Sequence, residues 1–185
     1  MKKLLKNHFS SRSGFTLVEL LVVIAILGIL AVGLLAAINP GAQLAKARDA
    51  SRISTIKQLA DAMTGYQIAN NQYIDIGPAS PGTWITGLVN SGELKSVPSA
   101  SSYSGGVSIC SQRNQNNYCV DGDSQTSASK VVVYTALEVY KCPSGQKAYS
   151  LWSSSDGKSG IVCINSTTAP YYGGNGSAGG YTYLQ

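Results

Sequence analysis

The chain has 185 residues, with 14 lysines and arginines against nine aspartates and glutamates and a formal net charge of +5. Lys2, Lys3, Lys6 and Arg12 supply four of those five charges, so the sequence after residue 14 is nearly neutral at +1 and its charge argues for no nucleic-acid surface. The single histidine is His8; beyond it neither a Ser-His-Asp nor a Cys-His catalytic site can form.

From Phe15 to Ile38 the chain is apolar over 24 residues, interrupted by one carboxylate, Glu19. As a helix this stretch spans about 36 Å, enough for a hydrocarbon core of about 30 Å. A secretory signal has a shorter apolar core of about 7–15 residues followed by a small-residue cut site. Here Gly14 precedes the apolar run instead. A carboxylate in such surroundings is costly to desolvate and calls for a partner. The run Ser11-Arg12-Ser13-Gly14-Phe15-Thr16-Leu17-Val18-Glu19 resembles the type IV prepilin signature: a basic leader ending in glycine, an aromatic first residue, and glutamate at the fifth position. The resemblance implies cleavage between Gly14 and Phe15 by a separate prepilin peptidase and N-methylation of Phe15. It also implies that Glu19 pairs with the new amine of a neighbouring subunit and sets axial register. The competing readings are a plain membrane anchor and a signal peptide.

Charge does not orient the span. Four cations precede it, and Lys46, Arg48, Arg52 and Lys57 follow within reach of the same rule. Asn39-Pro40-Gly41 reads as a helix-breaking triplet. Helical periodicity resumes at Ala42 and runs to about Asn70, with Ile53, Ile56, Leu59, Ala60, Met63 and Tyr66 on one stripe. Lys46, Arg48, Asp49, Arg52, Lys57 and Asp61 are expected mainly off it. This resembles the second half of a pilin spine, except that the proline common at mature position 22 is Ala36 here, with Pro40 four residues later.

From Asn71 to Ala100 the pattern breaks around Pro78, Pro81 and Pro98, and Trp84, Ile85, Leu88, Val89 and Leu94 are expected to anchor a connecting segment. Residues 99–129 read as polar surface loops, with few apolar positions (Val107, Ile109, Val120) and one small hairpin. Strands are predicted over Val131–Tyr140, Lys147–Ser153 and Ser159–Ile164, the last two flanking the turn signal Asp156-Gly157. The end, with Tyr171, Tyr172, Tyr181 and Tyr183 among small residues, covers the head, fills gaps between subunits, or adds a last strand.

Four cysteines allow three pairings. Sequence order favours Cys110–Cys119 and Cys142–Cys163 over a zinc site, since the chain has no CxxC pair and no histidine beyond His8. Disulfides place this half outside the cytoplasm and so orient the span. Asp121-Gly122-Asp123 offers calcium-type oxygens, yet Gln125 follows and Val132 stands where a calcium loop carries glutamate, so a solvated turn is expected and no metal. Asn165-Ser166-Thr167 and Asn175-Gly176-Ser177 match the glycosylation triplet. Lys141, Lys147 and Lys158 are the candidates for DNA contact, with a solvated face the alternative.

The expected fold class is α+β, with a long N-terminal hydrophobic helix packed under a C-terminal antiparallel β head carrying disulfides. The expected division is a leader at 1–14, a transmembrane and filament-core helix at 15–38, an amphipathic helix at 39–70 and the β head at 71–185. The resemblance implies a structural subunit, first choice a major pilin, not an enzyme and without cofactor. It implies as partners copies of the same chain in a helical filament, a prepilin peptidase, and an assembly ATPase with its membrane platform. DNA remains a possible ligand of such filaments. The precursor is expected in the cytoplasmic membrane, single-pass with its C-terminal domain outside, and the mature chain in an extracellular pilus. The alternatives are a minor pilin, a secretion pseudopilin or, from another class, a membrane-tethered secreted binding domain.

Overall fold

A computed structural model describes residues 14–77, 83–100, 110, 113–124, 126–173 and 181–184, with side chains 36–38 excepted. The leader residues before Gly14, along with Pro78, Pro81, Val107, Ile109, Gln125 and Asn175, lie outside the described residues. The chain divides into two compact units, 1–41 and 42–185.

In the first unit, α1 covers Leu17–Ile38. Leucine, alanine, isoleucine and valine without proline make a continuous helix, apolar on every side, as a lipid-embedded or bundled helix is. Leu17–Leu35 is long and apolar enough to cross a membrane. Asn39, at φ 45°, ends α1 in the left-handed conformation that asparagine tolerates.

Helix α2, Pro40–Asn70, begins two residues earlier than the periodicity predicts. Proline suits a first helical position, where its missing N–H has no partner to lose. In the second unit α2 turns Ile56, Leu59, Ala60 and Met63 inward, and Asp49 and Arg52 are buried with them. The expectation that those two charges lie off the buried face is therefore corrected; their mutual pairing, described below, makes burial tolerable.

The connecting segment contains a helix that periodicity does not reveal, α3, Trp84–Asn90. Trp84, Ile85 and Leu88 are buried. Gly87 lets α3 approach Ile74, whose Cδ1 would stand 2.5 Å from a Cβ there.

Five strands follow: β1 Arg113–Gln115, β2 Tyr118–Gly122, β3 Val131–Ala136, β4 Gln146–Ser153 and β5 Lys158–Asn165. They form one antiparallel sheet in the order β1-β2-β3-β4-β5. Each strand pairs with its neighbour in sequence, which makes the sheet a meander. Asn116 and Asn117 hold positive φ (55° and 67°) in the two-residue turn between β1 and β2. Gly157, φ 61°, closes the β4–β5 turn. Residues 113–122 form the one small hairpin expected in this region, with Cys119 bonded to Cys110. Two expectations change here: its second strand is internal to the sheet, paired also with β3, rather than at the surface, and β3 stops at Ala136, short of Tyr140.

The sheet is covered on both faces. Because side chains alternate along a strand, Val131 and Val133 join Ile56, Leu59, Met63, Trp84 and Val120 on the helix side. Val132 and Tyr134 join Tyr149, Leu151, Val162 and Tyr181 on the other. The C-terminal segment thus covers the second face and also adds a bridge, Val162 to Tyr183, with the Leu184 N–H donating to the Ile161 carbonyl.

Candidate functional site

The start of α1 is organised by Thr16. Its hydroxyl oxygen accepts from the Glu19 N–H at 3.2 Å, while Glu19 Oε2 accepts from the Thr16 N–H at 2.9 Å and the Thr16 hydroxyl at 2.8 Å. This is a reciprocal capping box, which satisfies helix-start N–H groups that would otherwise lack partners. Thr16-x-x-Glu19 before an apolar run is its sequence signal, one the prepilin resemblance does not use. The carboxylate has a partner within its own chain, which holds it in place. Phe15 is 81% exposed, and a Cβ on Gly14 would meet nothing within 4 Å. Packing among the described residues does not require glycine at position 14.

The second unit carries an ionic node that was not foreseen. Arg52, 1% exposed, donates through Nη1 to Asp49 at 2.8 Å and through Nη2 to Glu138 at 2.7 Å. Glu138 also receives Arg48, through Nε at 3.1 Å and Nη2 at 2.7 Å. This paired geometry raises the Arg48 pKa above its ordinary value, chiefly through the Glu138 hydrogen bond. Asp49 further accepts the backbone N–H groups of Glu138 and Val139. One carboxylate on α2 thereby fixes the chain leaving β3. The sequence signal was Asp49 and Arg52 at i and i+3 beside the buried stripe; charge alone suggested solvent.

Cys110–Cys119 and Cys142–Cys163 are disulfide-bonded. Cys119 lies in β2 and Cys163 in β5, so each bridge ties a connecting segment to the sheet. Asp123 accepts from the Ser129 N–H and hydroxyl and from the Lys130 N–H. Burial pushes its pKa upward, but these donors outweigh burial and hold it below the ordinary carboxylate value. Asp121 accepts from the Tyr172 N–H and faces Arg113 at 3.9 Å. Both carboxylates therefore serve the fold, and no group of three or more metal-type side chains occurs among the described residues.

Asn165 is exposed, its Oδ1 accepting from the Thr167 N–H and hydroxyl. Lys147 and Lys158 do not share a patch. They stand at opposite ends of the β4–β5 hairpin, about 20 Å apart by strand rise.

A carboxylate-bearing apolar helix, long enough to cross a membrane, is followed in sequence by a disulfide-bonded α+β head. A family model described as the prokaryotic N-terminal methylation motif matches residues 9–35. Neither a curated protein nor a solved structure matches the chain. Residues 9–35 carry the prepilin signature of type IV pilins and pseudopilins, a structural type rather than an enzymatic one. The motif implies processing by a prepilin peptidase and handling by pilus assembly machinery. With the apolar helix, it fits a membrane-anchored precursor that later enters a surface filament.

Proposed function

We propose that this chain is the major subunit of a type IV pilus-like filament. A prepilin peptidase cuts between Gly14 and Phe15, Phe15 is N-methylated, and an assembly ATPase with its membrane platform adds subunits. The leader is then residues 1–14, the membrane and filament-core helix 15–38, the rest of the spine 39–70 and the head 71–185. Before assembly the chain spans the cytoplasmic membrane once with its head outside. Afterwards it belongs to the extracellular filament, with adhesion, motility or DNA uptake as its uses.

The observation that carries this reading is the coincidence of the methylation motif at residues 9–35 with a helix start that presents Glu19. Glu19 Oε2 is engaged by Thr16, and Oε1 has no hydrogen-bond partner among the described residues. An ammonium one subunit away completes the coordination of that carboxylate in apolar surroundings, where an opposite charge favours the ionised form. The freedom around Gly14 supports a requirement for glycine imposed by the peptidase rather than by packing.

Mass spectrometry of the mature amino terminus tests the reading. N-methylated Phe15 is expected; an intact leader overturns it. Gly14→Leu is expected to leave uncut precursor in the membrane. Glu19→Ala is expected to be cut normally and to assemble poorly, and a normal filament yield from it removes the electrostatic role.

A further inference from the structure

One flank of α2 carries two opposite surfaces. Lys46, Ala50, Ile53 and Lys57 recur at i, i+4, i+7 and i+11 and so share a strip. Between this strip and the sheet side lies a hollow of about 510 Å³ that Lys46, Ala50, Ile53 and Tyr140 help to line. A second hollow of about 300 Å³ shares Ile53 and Tyr140 and extends to Lys57 and Leu184. Ile53, Tyr140 and Leu184 make this groove apolar, and the lysines rim it with positive charge. Asp49 also lines it, but its oxygens are taken by Arg52 and by two backbone N–H groups.

The same strip continues four and eleven residues beyond Lys57, to Asp61 and Ile68. Ile68 is 77% exposed, more than any other large apolar side chain described in the second unit. The Glu93 carboxylate lies over Gly65, between them, where a Cβ would collide with it. This end of the flank is an exposed apolar knob beside two carboxylates. Among the described residues no ion pair joins Lys57 to Asp61 (lysine before the acid is the weaker order on a helix).

We infer that the basic groove of one copy receives the Asp61–Ile68–Glu93 surface of a second copy. A single parallel offset of 15 residues, about 22 Å of helix rise, sets Ile68 opposite Ile53 and Asp61 opposite Lys46. Glu93 then falls between Lys46 and Lys57. The two surfaces differ, so the contact is head-to-tail and repeats without closing, as an open polymer requires. Charges at the rim select this register over others, since a slip sets like charges together. The inference rests on the filament reading and identifies which faces of neighbouring subunits meet.

Filaments sheared from cells producing the full chain test it. Ile53→Cys combined with Ile68→Cys is expected to give a ladder of covalent multimers on mild oxidation, while neither single change gives one. Lys46→Glu and Asp61→Lys are each expected to lower filament yield roughly tenfold. The two together restore complementarity and bring yield back to within about twofold. Both positions are exposed, and precursor level and N-terminal processing report that the variants fold and are exported. Unchanged yield in both single reversals, or double-cysteine filaments without a ladder, overturns the contact and leaves the filament reading standing. An unmodified chain that forms no filaments overturns both.

Discussion

Replacing Arg52 by methionine isolates the worth of the ionic node. The change keeps an unbranched side chain of similar reach but removes the guanidinium that joins Asp49 to Glu138. Asp49 is then a buried carboxylate with only backbone donors. Glu138 retains Arg48, whose side chain is 35% exposed and more screened by water. Removing one partner of a buried ion pair costs about 3–5 kcal/mol, because the charge left behind stays desolvated. For a unit the size of residues 42–185 this lowers the melting temperature by about 10–20 °C. The assay is thermal unfolding of the full chain in detergent, followed by tryptophan fluorescence, since both tryptophans, Trp84 and Trp152, lie in the head. Arg52→Lys keeps the charge but not the planar fork and is expected to cost roughly 1–2 kcal/mol. Arg52→Met with Asp49→Asn is expected to cost less than the two single changes summed, as coupled partners do. A loss under about 1 kcal/mol for Arg52→Met alone, with a cooperative transition, refutes the desolvation argument.

Three further outcomes are expected. Replacing Cys142 and Cys163 by serine destabilises by about 3 kcal/mol, and replacing Cys110 and Cys119 by slightly less, because the shorter loop constrains the unfolded chain less; denaturant midpoints under non-reducing conditions check the order. Gly160→Ala sets a Cβ 2.7 Å from the Tyr183 ring. The ring must move and the Tyr183 hydroxyl lose Asp156, for about 1–3 kcal/mol, with limited proteolysis cutting the released C-terminus first. The Tyr181 phenol is held neutral above its ordinary value of 10.0, chiefly by burial. Its contribution to stability is therefore full below pH 10 and falls as alkali ionises the unfolded form more readily. In an ultraviolet titration its signal is expected only with unfolding; reversible ionisation of every tyrosine near 10 in folded protein contradicts this.

How far the fold could be read depended on whether one segment carried its own pattern. Ile56, Leu59, Ala60 and Met63 recur at helical spacing, and Asp156-Gly157 sits between two alternating runs, so α2 and the β4–β5 hairpin were visible locally. Trp84–Asn90 is too short for periodicity and holds a glycine that only the neighbouring Ile74 explains. Tyr118–Cys119–Val120 offers too few apolar residues to announce a strand, and its partner β3 lies beyond a polar loop. Asp49 and Arg52 looked solvated because Glu138, which completes their pairing, lies 86 residues past Arg52. At the helix start the opposite held. Gly14, Phe15 and Glu19 were legible as a motif, while the Thr16 contribution needed only the spacing rule for caps.

Coverage of the sheet on both sides bears on how the head is made. Synthesis delivers α2 long before Val131–Ala136, the strand buried through its whole length, and Tyr181 and Tyr183, which roof its far side, come later still. Until they emerge, a nascent head has one sticky surface bare. Ending the chain before Tyr181 should therefore yield clumped material rather than a slightly smaller soluble head.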